Sequence, residues 1–181
     1  MLRPLHALTW DNRFASLPDA FGERVGPTPL PDPWLVAFNP DVAALLDLDP
    51  AAAADPDFLA WVAGNLTLPG TDPVAAIYAG HQFGVWVPQL GDGRAILLGE
   101  VTSGNHQHWD VQLKGAGMTR FSRMGDGRAV LRSTIREYLA GELIDRRANL
   151  IGDDRHGNSI RWHDPESRRC PAPASRGVSR H

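Results

Sequence analysis

Cysteine and lysine are nearly missing from this sequence. Cys170 is the single cysteine in 181 residues, which excludes an internal disulfide framework and fits a reducing compartment. Lys114 is the single lysine among 18 Lys and Arg residues, so every other fixed cation of the chain is an arginine. No apolar run reaches the length of a membrane span, and the N-terminus lacks the apolar stretch of a signal peptide. These absences lead us to expect a cytoplasmic protein that does not enter a membrane. His81, His106 and His108 share no spacing with a cysteine or carboxylate cluster, so they are read as surface or core histidines and no metal site is assigned. Ser122 and Ser133 have nothing beyond residue type to mark either as a nucleophile.

What is present is the composition of a globular domain: 43% hydrophobic and 22% charged residues, in a length that suits one domain with a sizeable core. The net charge of −3 is unevenly spread. Up to Ile144 there are 10 basic and 16 acidic residues, and 7 of those 10 basic residues lie between Arg94 and Arg136. A local basic cluster on an acidic body suits a compact anionic ligand, whereas coating a nucleic acid would want broader positive charge. A solvated, salt-bridged face is the plainer alternative.

Residues 1–38 read as an extended arm. Pro27, Pro29, Pro31 and Pro33 occupy alternate positions, which removes backbone donors and favours extended or polyproline conformation. Trp10, Phe14, Phe21, Trp34 and Phe38 are expected to dock the arm on the body. Asn39-Pro40 and Asp55-Pro56 each offer a side-chain cap with proline in the first turn, predicting short helices through Val42–Leu46 and Phe58–Val62, the second ended by Gly64. A third helical segment is expected from Val74 through Ile77 and Tyr78 to Gly80. From Gly84 the texture becomes strand: Val85 to Leu90, then Ala95 to Leu98, then Trp109 to Lys114. In the last of these, Trp109, Val111 and Leu113 alternate with Asp110, Gln112 and Lys114, which puts Lys114 on the polar face. After Gly127, Leu131, Ile135, Tyr138 and Leu139 fall on one helical stripe, with Glu137 at its edge. Beyond Ile144 the periodicity collapses. Residues 145–181 hold eight arginines and few large apolar residues, chiefly Leu150, Ile151, Ile160 and Trp162, and are expected to be disordered.

The tetrapeptide Gly-Asp-Gly-Arg occurs twice, at 91–94 and 125–128. Gly91 and Gly93 allow close approach of backbone to a ligand, and their amides can form an anion nest; taken alone, the pair is more simply explained as an ordinary hairpin turn. Asp126 and Gly127 at a helix start would add amides and the positive end of a helix dipole, unless Asp126 is only a cap. Lys114 on a strand after a glycine turn, with Glu137 on the following helix, is the order a kinase-like phosphate site needs. A solvated strand lysine is the alternative.

Four segments then carry a specific resemblance. They are Tyr78-Ala79-Gly80-His81-Gln82-Phe83-Gly84, Gln89-Leu90-Gly91-Asp92-Gly93-Arg94, Leu113-Lys114-Gly115-Ala116-Gly117, and Gly125-Asp126-Gly127-Arg128-Ala129-Val130-Leu131-Arg132-Ser133. With Asp11-Asn12-Arg13-Phe14 and Pro27-Thr28-Pro29-Leu30, they resemble the selenoprotein O family from about Thr9 to about Leu143. The resemblance implies an α+β fold, a kinase-like N-lobe of antiparallel sheet and helices over residues 39–144, preceded by the arm and lacking the C-lobe. It implies transfer of AMP from ATP to Ser, Thr or Tyr hydroxyls of proteins, with the nucleotide bound in the reverse sense to kinases. By resemblance Gly91, Gly93, Arg94, Lys114, Asp126 and Gly127 bind ATP, and Glu137 supports Lys114. The family's catalytic aspartate, its Mg²⁺ ligands and two further phosphate-binding arginines lie downstream, and residues 145–181 do not follow the family pattern. The chain is therefore expected to be a monomeric N-terminal fragment, its tail an out-of-frame or truncated reading, with little activity alone. A non-catalytic nucleotide- or partner-binding module is the alternative.

Overall fold

The computed structural model describes residues 2–144, 150–153 and 158–163. Its α+β architecture has an antiparallel sheet of eight strands with three α-helices. The strands are β1 (Gly22–Arg24), β2 (Trp34–Ala37), β3 (Val74–Gln82), β4 (Val85–Gly91), β5 (Ala95–Thr102), β6 (His108–Lys114), β7 (Leu150–Asp153) and β8 (Asn158–His163), and the helices are α1 (Pro40–Leu45), α2 (Pro56–Val62) and α3 (Leu131–Ile144). The sheet order is β1-β3-β5-β6-β8-β7-β2, with β4 paired to the outer half of β3.

The two short helices form where their caps predict. The Asn39 side chain accepts from the amides of Asp41 and Val42, and Asp55 accepts from Asp57, each with proline in the first turn. Their inner faces close the core: Val42, Leu46, Phe58, Trp61 and Val62 pack with Ile96, Val101, Val111 and Leu113 from one face of β5 and β6. The alternation expected for β6 is present, with Trp109, Val111 and Leu113 buried and Gln112 and Lys114 partly exposed on the other face.

The arm is more integrated than its composition suggests. Trp10 packs edge-on to Trp61 at 6.2 Å and Phe38 to Phe58 at 5.5 Å, whereas Phe21 and Trp34 remain half exposed. Two of its segments become strands: β1 pairs with β3, and β2 with β7. The proline-rich stretch is pinned where Thr28 N donates to Ala116 O at 2.7 Å and where Leu30 exchanges hydrogen bonds with the Asn65 side chain.

One expectation is corrected. The segment expected to be helical from Val74 to Gly80 is β3. Its apolar spacing over seven residues fits either period, and distant partners decide the matter: Gly22 to Arg24 pair with its first half, and Val85 to Gly91 with its second. Of residues 145–181, read from the sequence as a disordered tail, 150–153 and 158–163 carry β7 and β8, which pair with each other and with β2 and β6. These strands coincide with Leu150, Ile151, Ile160 and Trp162, and the open edge of β6 supplies backbone partners that local composition does not reveal. Residues 145–149, 154–157 and 164–181 of that tail, with Cys170, Arg176 and Arg180, lie outside the described residues. Among the described residues no helix is long and apolar enough to cross a membrane.

Candidate functional site

The turn Gly91–Arg94 joins β4 to β5 and is fastened on three sides. Asp92 N donates to Ala76 O of β3 at 2.9 Å, and Gly115 N at the end of β6 donates to Arg94 O at 2.6 Å. From outside, the loop 119–122 grips the turn through its carbonyls: Thr119 Oγ1 donates to Asp92 O at 2.6 Å and Ser122 Oγ to Gly93 O at 2.5 Å. Phe121 lies so close that a Cβ on Gly91 would collide with its ring, and one on Gly93 would stand 2.7 Å from its carbonyl oxygen. Glycine is thus required at both positions by this loop, whatever ligand approaches from the other side.

Below the turn, β6 is in register with β5 so that Lys114 faces Ala95. Lys114 Nζ donates to Glu137 Oε2 on α3 at 2.6 Å, and both side chains are about three-quarters covered. Thr134, one turn earlier on α3, is buried, while Leu131, Ile135 and Leu139 are exposed. The inward face of the described part of α3 is therefore the Thr134/Glu137 side, while Leu131, Ile135 and Leu139 of the apolar stripe read from the sequence face outward and Tyr138 is partly covered.

A cavity of about 740 Å³ opens between the turn and the sheet, within the usual size range for small-molecule sites. Lys114, Gln112 and Asp110 of β6 line it with Asp92, Gly93 and Arg94 of the turn, Tyr78 and Gln82 of β3, and Phe14 of the arm. A second hollow of about 330 Å³ shares Gly93 and Arg94 and continues to Ser122, Asp126, Gly127 and Arg128. The exposed Arg94 side chain, with no ion-pair or hydrogen-bond partner among the described residues, stands between the two. Burial pushes the Asp92 carboxyl above its ordinary range, opposed by the Ala76 N–H and by the charge of Lys114. Burial also raises the Tyr78 hydroxyl, and the neighbouring Asp92 adds to the effect.

Of the residues singled out in the sequence, Gly93, Arg94 and Lys114 line the larger cavity, and Gly93, Arg94, Asp126 and Gly127 line the smaller. Gly91 lines neither and packs on Phe121, and Glu137 reaches the larger cavity only through Lys114. Asp126 and Gly127 do not open α3, which begins at Leu131. Instead Asp126 Oδ1 accepts from Arg128 N at 2.9 Å, and Gly127 turns the chain at φ +72°, where a Cβ would strike the Gly117 carbonyl. That bend lets the Arg128 guanidinium donate to Gly115 O and Pro29 O, tying it to the end of β6 and to the arm.

Sequence reasoning passed over Phe14, Tyr78, Asp92, Asp110, Gln112 and Thr119. The alternation of β6 already places Asp110 and Gln112 beside Lys114; Phe14 and Thr119 arrive from segments far away in sequence and carry no local signal. Ser122 has a structural place, accepting from Thr119 N and donating to Gly93 O. The three histidines stay apart from the cavity lining, and among the described residues no three His, Cys, Asp or Glu side chains converge on a metal-sized site.

A family model described as "Protein adenylyltransferase SelO" matches residues 4–148, slightly wider at both ends than the span bounded by the sequence motifs. The chain is 59% identical over 140 residues to a protein nucleotidyltransferase YdiU of Thiobacillus denitrificans, covering 77% of this chain and 29% of that protein. It is equally similar, with the same coverage, to one of Myxococcus xanthus. A Pseudomonas fluorescens protein of the same name is 52% identical over 160 residues, covering 84% of this chain and 33% of the relative. The chain spans about a third of the length of these relatives. Motif order, a glycine turn above an ion-paired lysine, and a match across most of the sequence agree: this chain belongs to the SelO protein adenylyltransferase family.

Proposed function

We propose that this chain carries the N-lobe half of the ATP site of a protein adenylyltransferase, with a kinase-like arrangement of sheet and helix. The observation that carries the reading is the Lys114–Glu137 pair at 2.6 Å in a cavity roofed by the Gly91–Arg94 turn, with Arg94, unpaired among the described residues, beside it. Family membership and the name its relatives carry, protein nucleotidyltransferase, support the chemistry. A hydroxyl of a Ser, Thr or Tyr on an acceptor protein attacks the α-phosphate of ATP, and pyrophosphate leaves. Charge then accumulates on the departing oxygens, and Lys114 and Arg94 are the described cations placed to stabilise it. Glu137 holds Lys114 in position, and the hydroxyls of Thr119 and Ser122 hold the turn.

Mg²⁺, which the family resemblance implies, finds no protein cage among the described residues. The roles given to Lys114, Arg94 and Glu137 stand on their own geometry. We further propose that the protein is cytoplasmic and monomeric, and that its partners are ATP and acceptor proteins. Transfer by this chain alone is proposed to be slight, because the resemblance assigns the catalytic aspartate to sequence beyond its motif-bearing region.

Incubation with α-labelled ATP, Mg²⁺ and acceptor protein, beside direct titration with ATP, tests the reading. ATP binding that is lost in Lys114→Ala supports it. Binding with no transfer in any longer family member would favour a non-catalytic nucleotide-binding module, and no binding at all would reject the site.

A further inference from the structure

Asp92 occupies the middle of the glycine turn, where an aspartate ordinarily meets water, yet its carboxyl turns inward to the larger cavity. There Oδ2 accepts from Gln112 Nε2 at 3.3 Å and from Ala76 N at 3.4 Å, both long contacts for a group partly withdrawn from solvent. The charged and titratable groups that line the cavity with it are Lys114 and Asp110 of β6, Tyr78 of β3, and Arg94 of its own turn. Lys114, whose charge acts on Asp92, is already ion-paired to Glu137 of α3. Asp92 therefore shares the cation whose charge acts on it with a second carboxylate, that of Glu137 at 2.6 Å.

A polyphosphate entering this cavity brings several negative charges to the cations that offset Asp92. An ionised Asp92 would then face like charge in a partly desolvated space with no cation of its own, and the least costly adjustment is to bind a proton. We propose that Asp92 is a positioning residue of the nucleotide site that ties the glycine turn to β3 and β6 and takes up a proton from solvent when a nucleotide's phosphates occupy the space between Lys114 and Arg94. No covalent bond changes; the proton moves from water to a carboxylate oxygen. Burial, which already raises the carboxyl, works in the same direction. The inference rests on the nucleotide-site reading above and adds a proton linkage to it.

The test is calorimetric titration of the full chain and of Asp92→Asn with ATP, in paired buffers of low and high ionisation enthalpy across the mildly acidic to neutral range. ATP's own terminal phosphate contributes equally to both proteins. The wild type should take up more protons than Asp92→Asn, with the excess approaching one. Its affinity should also fall with rising pH by up to about tenfold per unit more than that of the variant, as one-proton linkage requires. Equal uptake by the two proteins overturns the proposal and leaves the nucleotide site standing, whereas failure of the wild type to bind ATP at any pH overturns both. Should Asp92→Asn not fold, carbon NMR of the Asp92 carboxyl in the wild type decides the matter. A shift toward the protonated position on adding ATP supports the proposal, and an unchanged resonance rejects it.

Discussion

Lys114 Nζ and Glu137 Oε2 lie 2.6 Å apart, joining the end of β6 to α3 between residues 23 positions apart in the sequence. The contact uses the chain's single lysine and is about three-quarters withdrawn from water on both sides. A partly buried pair of this kind should show a measurable but modest coupling, about 1 kcal/mol. Urea denaturation of Lys114→Ala, Glu137→Ala and the double variant gives that coupling directly; strict additivity would mean that the pair adds nothing to stability.

The same pair makes a prediction about ligand binding that separates its members. Lys114→Ala removes the cation itself and should weaken ATP binding by at least about tenfold, the equivalent of a lost charge-assisted contact. Glu137→Gln leaves the cation in place but loosens its direction, so its effect should be smaller. Parallel ATP titrations check this order, and a larger loss for Glu137→Gln would count against Lys114 as the phosphate contact.

Asp92 makes stability depend on pH in an unusual direction for a carboxylate. Its folded-state carboxyl lies above the ordinary range, with burial as the main cause. The folded chain therefore binds more protons than the unfolded chain between the ordinary carboxylate value and the raised one, and stability contributed here is lost as pH rises through that window. Asp92→Asn cannot ionise. It should gain on the wild type as pH rises from strongly acidic towards neutral and hold a constant difference above the folded value. Thermal melts at several pH values check this, and a wild type that instead gains on the variant with rising pH would contradict the assignment.

The parts of this site that were legible in the sequence are those set by local periodicity. Alternation along β6 put Lys114 opposite the Trp109/Val111/Leu113 face because one side of that strand is buried against α1 and α2. Glu137 was legible as a helix-edge residue, though the face it shares turned out to hold Thr134 instead of the apolar stripe. Contacts made by distant segments were not legible. A seven-residue apolar pattern could not show that Val74–Gln82 is a strand, since the deciding partners are Gly22–Arg24 and Val85–Gly91. Nothing near Asp92 announces that its side chain turns inward, because Ala76 and Gln112 are brought to it by the sheet.

Gly127 should be the least replaceable glycine of the site. Its φ of +72° penalises any side chain, and a Cβ would also strike the Gly117 carbonyl, which belongs to backbone that cannot swing aside. Gly127→Ala should cost about 2 kcal/mol or more by denaturant unfolding, and it should release Arg128 from Gly115 and Pro29. Gly26, whose added Cβ meets nothing within 4 Å, is the control and should tolerate alanine.

The loop 119–122 offers a separation of turn geometry from turn chemistry. Ser122 Oγ accepts from Thr119 N at 2.8 Å and donates to Gly93 O at 2.5 Å, so one hydroxyl sets both the loop and the turn it grips. Ser122→Ala deletes both contacts and should cost about 1–2 kcal/mol of stability. It touches no charge in the larger cavity, so any change in ATP affinity must come through the geometry of Gly93 and Arg94. A several-fold rise in Kd for ATP, with an unchanged salt dependence, is expected, because loosening a preorganised donor array weakens binding without removing a cation. If Kd is unchanged while stability falls, the loop only stabilises the fold. If the salt dependence falls, as the loss of a cation from the site would make it, Arg94 has left the site altogether, and the grip of Ser122 on Gly93 is what places it there.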